Sequence, residues 1–197
     1  MKLAHAGSFY VDAGGGVAKM QSLDAFGPGD SSTSMGYNLN SSLFVNFSSG
    51  GPIELQLGLV QDYASANGST TGNSLSLLTV YPALRLQITR LYFTGGYTPW
   101  VWQSQGSGTS ASAARAVGSS SVLAEAGLLW PITPEFSLGA FGNAQFVKNP
   151  DGNGPSPAMS AGVLMRFHFG YYGDNSGGGH KSNEYDGFRY PFGFMRN

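Results

Sequence analysis

The 197-residue chain has no cysteine, which removes both a disulfide framework and a thiolate metal site. It is short of charge: Asp, Glu, Lys and Arg make up 11% of it, against roughly 25% in typical soluble domains. A net charge of −1 leaves no basic footprint for nucleic acid. No apolar run approaches the ~20 residues of a membrane-spanning helix. Histidine is scarce too, at three residues (His5, His168 and His180), which leaves little for acid–base catalysis. Only residues 110–118 (SASAARAVG) have helical propensity; that stretch is too short to stand alone and reads as a loop with one helical turn.

What the chain does have is glycine, 30 residues of it, with 41% hydrophobic residues and a mean hydropathy of −0.10. Low charge with moderate hydropathy suits a wall that is apolar on one face and polar on the other. The stretch MSAGVLMRFHF, 159–169, is such a wall: Met159, Ala161, Val163, Met165, Phe167 and Phe169 alternate with Ser160, Gly162, Leu164, Arg166 and His168. A strand sends successive side chains to opposite faces, so one face is apolar and the other carries the charge.

Seven further segments alternate in the same way, near 8–19, 35–47, 53–61, 74–89, 91–102, 119–130 and 136–147. Their apolar parity carries almost no charge. The third sets Ile53, Leu55, Leu57 and Leu59 against Glu54, Gln56 and Gly58. The fifth sets Leu91, Phe93, Tyr97 and Val101 against Tyr92, Thr94 and Thr98, with Pro99 interrupting it because proline cannot donate to a ladder. Connections alternate between short (48–52, Thr89-Arg90, 131–135) and long (near 20–34, 62–73, 103–118 and 148–157). The reading is all-β: an eight-stranded antiparallel up-and-down transmembrane barrel over 8–169, with short turns and both termini on the periplasmic side of a bacterial outer membrane. Residues 1–7 read as a leader remnant, since Ala4-His5-Ala6 suits the end of a cleavage site. Residues 170–197 read as a periplasmic tail. A soluble lipocalin-like barrel would place the charges outside and the apolar parity within, leaving too bare an exterior.

The polar parity holds Asp12, Glu54, Arg85, Glu125 and Arg166, the candidate lumen charge network. Glu54 and Arg85 lie low on adjacent strands. Asp12 and Arg166 lie at similar heights on the first and last strands, which are neighbours only if the barrel closes. Glu125 has no cation on either adjacent strand and has to reach across the lumen. Such a set either locks a filled core or lines a gated proton or ion path; eight strands leave an interior just wide enough for side chains, which favours the lock. His168 also faces the lumen, away from any lipid substrate. No cofactor is expected, and no metal: Asp151-Gly152-Asn153-Gly154 lacks the remaining ligands of a calcium loop.

Trp130, Phe136, Phe169, Tyr171 and Tyr172 gather at the short-turn end as an aromatic girdle would. Trp100 and Trp102 sit at the other end with their parity pointing inward, so either Pro99 introduces a bulge or the rings cap the lumen. In the tail, Tyr185, Phe188, Tyr190, Phe192 and Phe194 follow a Gly177–Gly179 linker and are candidates for partner binding. A loosely ordered tail and a plug in the barrel mouth are the rival readings of that segment.

In this pattern the chain resembles the small eight-stranded outer-membrane proteins of the OmpA transmembrane-domain, OmpX and OmpW type. The resemblance covers about 8–169 and is one of architecture. Gly162, Phe167 and Phe169 resemble the signal read by the barrel-assembly machinery, although the chain continues beyond Phe169. The resemblance implies outer-membrane lipids and that machinery as partners; the continuation beyond Phe169 suggests that the tail has a partner of its own, a larger outer-membrane or periplasmic complex. The expected function is a non-enzymatic structural or accessory barrel; the alternatives are a narrow channel for small solutes and, last, a lipid-modifying enzyme.

Overall fold

The computed structural model describes residues 8–20, 35–47, 52–67, 74–107, 110–111, 115–117, 120–148 and 155–169. The described residues form strands and turns, with no helix. The strands are β1 (Phe9–Met20), β2 (Gly36–Asn46), β3 (Ile53–Asn67), β4 (Ser74–Ile88), β5 (Leu91–Thr98), β6 (Val101–Ser107), β7 (Ser110–Ala111), β8 (Arg115–Val117), β9 (Ser121–Pro131), β10 (Phe136–Lys148) and β11 (Pro155–Phe169). Every pairing is antiparallel. The ladder runs β3-β2-β1-β11-β10-β9-β5-β4, and β4 returns to β3, so the sheet closes. β5 and β6 are one stave, as are β7, β8 and β9, which makes eight.

The stretch 103–118 is therefore not the loop with a helical turn that its composition suggests. Its described backbone continues the staves, with Gly106 opposite Ala111 and Gln103 opposite Arg115. Ladder hydrogen bonds from neighbouring strands overrode a weak local preference. The break between β5 and β6 sits at Pro99. Register shifts by one residue between the pairs Ala83↔Gly96 and Thr79↔Val101, which is a bulge. Parity flips there, so Val101, expected outside, is 1% exposed, while Trp100 and Trp102 stand outward at 63% and 39%. The rings join the outer surface and do not cap the lumen.

Elsewhere parity and burial agree. Leu55, Leu57, Leu59, Leu84, Leu86, Phe93 and Val163 are exposed on the outer wall; Asp12, Gln56, Arg85, Glu125 and Arg166 are buried within. Among the described strand positions that face outward, none below Lys19 and Lys148 is charged. A cylinder with an apolar outside and a polar inside is stable only where hydrocarbon replaces water on its surface.

Glycine matters most at the closing seam. Gly16 faces Gly162 in register, and a Cβ on either would run into the backbone of the other strand. The shortest reversal joins β4 to β5 through Thr89-Arg90, where Thr89 takes φ 56° and its Oγ1 donates to the Ile88 carbonyl at 2.7 Å. A β-branched residue in that region is strained.

Candidate functional site: the lumen

β1 and β11 present Asp12 opposite Arg166, and this pair forms the floor of a filled lumen. Arg166 Nε donates to Asp12 Oδ1 at 2.7 Å and Nη2 to Oδ2 at 2.9 Å, while Nη1 reaches Gln87 Oε1 at 2.6 Å. Arg85, 1% exposed on β4, is the hub. Its Nη1 donates to Asp12 Oδ2 at 2.5 Å, its Nη2 to Glu125 Oε1 at 3.2 Å and its Nε to Thr94 Oγ1 at 2.8 Å. The guanidinium lies between Phe44 and Tyr92, 4.0 and 4.4 Å from the ring centroids. Tyr92 in turn lies across Gly127, where any side chain would collide with its ring. Burial of these charges is tolerable because each guanidinium meets a carboxylate and its other nitrogens are hydrogen-bonded.

The ion network joins Asp12, Arg85, Glu125 and Arg166. Glu125 does reach across, two staves away from its cation. Glu54 stands apart: Gln56, not Glu54, is the register partner of Arg85. Glu54 Oε2 instead accepts from Tyr10 OH at 2.8 Å and from Gln56 Nε2 at 3.0 Å, near the short-turn mouth. There His168 stacks on Tyr10, with centroids 4.7 Å apart.

One buried carboxylate escaped the sequence reading. Asp62, fully buried on β3, receives four carboxamides: Asn38 at 2.8 Å and Gln145 on Oδ1, Asn143 at 2.7 Å and Asn40 at 3.3 Å on Oδ2. Asn40 also donates to Glu125 Oε2 at 3.0 Å and so ties this cage to the ion network. The alternation near 53–61 ends the third segment one residue before Asp62, which places that residue in a long connection. The even parity of Gln56, Val60, Asp62 and Ala64 was the available signal.

Above the cage, Tyr81 OH and Ser121 Oγ lie 2.8 Å apart. The loop end is then filled by an apolar layer of Ala18, Met20, Ala64, Ala66, Leu75, Leu77, Val101, Val147 and Ala158, all 3% exposed or less. No group of three His, Cys, Asp or Glu able to hold a metal lies among the described residues.

On the outside, Phe169 stacks on Phe9 at 4.9 Å and Phe167 meets Phe136 at 5.3 Å, while Gly162 occupies the seam. Tyr185, Phe188, Tyr190, Phe192 and Phe194 lie outside the described residues.

No protein-family model matches the chain, and no curated protein is significantly similar to it. Solved structures are. Neisserial surface protein A aligns over 83% of this chain and 100% of its own, with 16% identity and a TM-score of 0.57. Ail, the attachment invasion locus protein of Yersinia pestis, in complex with the heparin analogue sucrose octasulfate, aligns over 83% and 99% with 15% identity and a TM-score of 0.47. The N-terminal β-barrel domain of Pseudomonas aeruginosa OprF aligns over 83% and 100% with 15% identity and a TM-score of 0.41. The first of these carries the likeness, and it is one of fold: the chain has the fold of the small eight-stranded outer-membrane barrels.

Proposed function

We propose that the chain is a non-enzymatic barrel of the bacterial outer membrane, periplasmic at both termini, with a structural or accessory role. In this reading it engages partners through its long connections or through Tyr185, Phe188, Tyr190, Phe192 and Phe194 of the tail. The observation that carries the proposal is the filled lumen. The Asp12–Arg85–Glu125–Arg166 network, the Asp62 cage and the apolar layer succeed one another along the axis. Side chains of an eight-stranded barrel can fill its interior, and here they serve as core. A channel would need that stack to part, and a hydrolase would need a base with access to substrate.

Planar-bilayer recording tests the first half: no resolvable current is expected from the purified protein or from Glu125→Ala, and a steady conductance would overturn the reading. Truncation from Gly173 onward tests the second. Partner recovery in a native-detergent pull-down should fall, and unchanged recovery would remove the tail from the proposal.

A further inference from the structure

Among the described residues, Asp62 is the one fully buried carboxylate that meets no guanidinium; the ion pairs take up Asp12 and Glu125. The buried charges of the described lumen are three anions, Asp12, Asp62 and Glu125, against two cations, Arg85 and Arg166. One negative charge is left over. An uncompensated charge in a packed interior is costly, and a counter-ion offsets it.

The amides around Asp62 supply a second, independent observation. An ionised carboxylate only accepts, so each carboxamide turns its N–H toward Asp62 and its oxygen away. Gln145 Oε1, turned away in this manner, accepts from Tyr81 OH at 3.3 Å and from Thr79 Oγ1 at 3.4 Å. Asn38 Oδ1 and Asn143 Oδ1 are buried without a hydrogen-bond partner, and so is Ser160 Oγ. Their residues are 1%, 6% and 7% exposed.

The closing seam gathers these three oxygens. Asn38 and Asn143 bond the two oxygens of one carboxylate, so their amides converge although β1 and β11 stand between β2 and β10. Ser160 is the register partner of Asn143, and Gly16 pairs with both Asn38 and Gly162. Between the two asparagines, β1 and β11 thus present Gly16, Ala18, Ser160 and Gly162, none longer than serine. Glu125, the other register partner of Asn143, flanks the group. Carboxamide and hydroxyl oxygens suit hard cations. An amide that donates to a carboxylate also becomes more negative at its oxygen, because bonded dipoles polarise one another.

We propose that the lumen holds one monovalent alkali cation at the β1–β11 seam. Asn38 Oδ1, Asn143 Oδ1 and Ser160 Oγ ligate it, and Asp62 balances its charge from behind the two amides. The proposal rests on the filled lumen of the preceding subsection: the ion is part of the core and does not cross.

The test is urea unfolding of the full chain in lipid vesicles, in sodium, potassium or choline chloride at one ionic strength. Replacing choline by about 0.1 M sodium should raise the folding equilibrium constant of the wild type about threefold, as a ligand of the folded state does. Asp62→Asn, which keeps a hydrogen-bonding group and removes the charge, should abolish the gain. Ser160→Ala, which removes one ligand oxygen, should abolish it too, whereas Ser65→Ala on the outer wall should keep it. The line width of the sodium NMR signal, broadened by wild type and not by the two site variants, reports the ion directly. An equal gain with potassium supports an alkali site without size selection. No difference between sodium and choline overturns the proposal, as does a gain that survives in both site variants. Stability that ignores sodium but rises as pH falls gives the neutralising charge to a proton and overturns it as well. Planar-bilayer recording separates this proposal from the one before: a sodium current would count against the filled core, whereas a silent barrel without sodium-dependent stability counts against this site alone.

Discussion

The lower and upper parts of this barrel are built on opposite rules. Below Asp62 the inside is ionic and the outside is apolar: Arg85 and Arg166 are buried while Leu57 and Leu84 are bare. Above it the inside is Met20, Leu75 and Leu77, and on β3 and β4 the outside carries a chain of hydroxyls. There Tyr63 OH donates to Ser76 Oγ at 3.2 Å, and Ser76 Oγ lies 2.9 Å from Ser65 Oγ. The staves are continuous, so one strand changes its solvent along its length. The wall follows hydrocarbon where it meets lipid and water where it projects beyond. The lumen is under no such demand and takes whatever packing satisfies its own groups.

Removing the ionic hub should cost most. Arg85→Met leaves Asp12 and Glu125 buried with Arg166 as the remaining network cation, and breaking such a set costs about 3–5 kcal/mol. Urea unfolding in lipid vesicles reads this as a large fall in midpoint. A loss under about 1 kcal/mol would mean that water already reaches the network.

The apolar layer comes next. Leu77→Ala opens a cavity in a packed interior and should cost about 2–5 kcal/mol. Leu57→Ala, the same deletion on the lipid face, leaves no cavity because lipid closes over it, and should cost less than half as much. Equal losses would show that the upper half has no core of its own.

A charge scan along β3 locates the boundary. Leu57→Lys puts an ammonium in the apolar belt and should cost about 2–4 kcal/mol, whereas Asn67→Lys at the exposed end of the same strand should cost about 0–1. Similar costs at both positions would place Asn67 in lipid and erase the distinction between the halves.

The same division governs how much the sequence discloses. In the belt, alternation is strict because one face must be apolar, and the parity of Leu55, Leu57 and Leu59 against Glu54 and Gln56 gave strand, face and burial together. Above the belt the contrast inverts and weakens. Ala64 and Ala66 turn inward while Tyr63 and Ser65 turn outward, so the alternation gives no sign that β3 continues through Asp62. Val101 departs from its expected face for a different reason. A bulge resets parity, and Pro99 signals a break without fixing how many residues it inserts. The network was partly legible. That Asp12 meets Arg166 follows from closure, but that Arg85 passes over Glu54 for Asp12 and Glu125 depends on the three-dimensional reach of a guanidinium.

Asp62 sits at the junction and gives the finest test of the comparison. It is an anion held by neutral amides, in a lumen whose buried charges among the described residues are Asp12, Asp62 and Glu125 against Arg85 and Arg166. If it belonged to the ionic half, neutralising it would be as damaging as removing Arg85. Its partners argue otherwise. Asn38 and Asn143 each keep a buried Oδ1 with no hydrogen-bond partner, so an amide at position 62 could be met by rotating a neighbouring carboxamide through half a turn. Asp62→Asn should therefore change stability by less than about 1 kcal/mol, the exchange of one set of satisfied hydrogen bonds for another. Asp62→Leu, which leaves the Asn143 and Gln145 amides without their acceptor while Asn38 and Asn40 keep Tyr63 O and Glu125 Oε2, should cost more than the Asn variant by about 1–3 kcal/mol, the usual penalty for buried donors left unpaired. Equal losses in the two variants would mean that the amides cannot turn and that the carboxylate's charge holds the junction together.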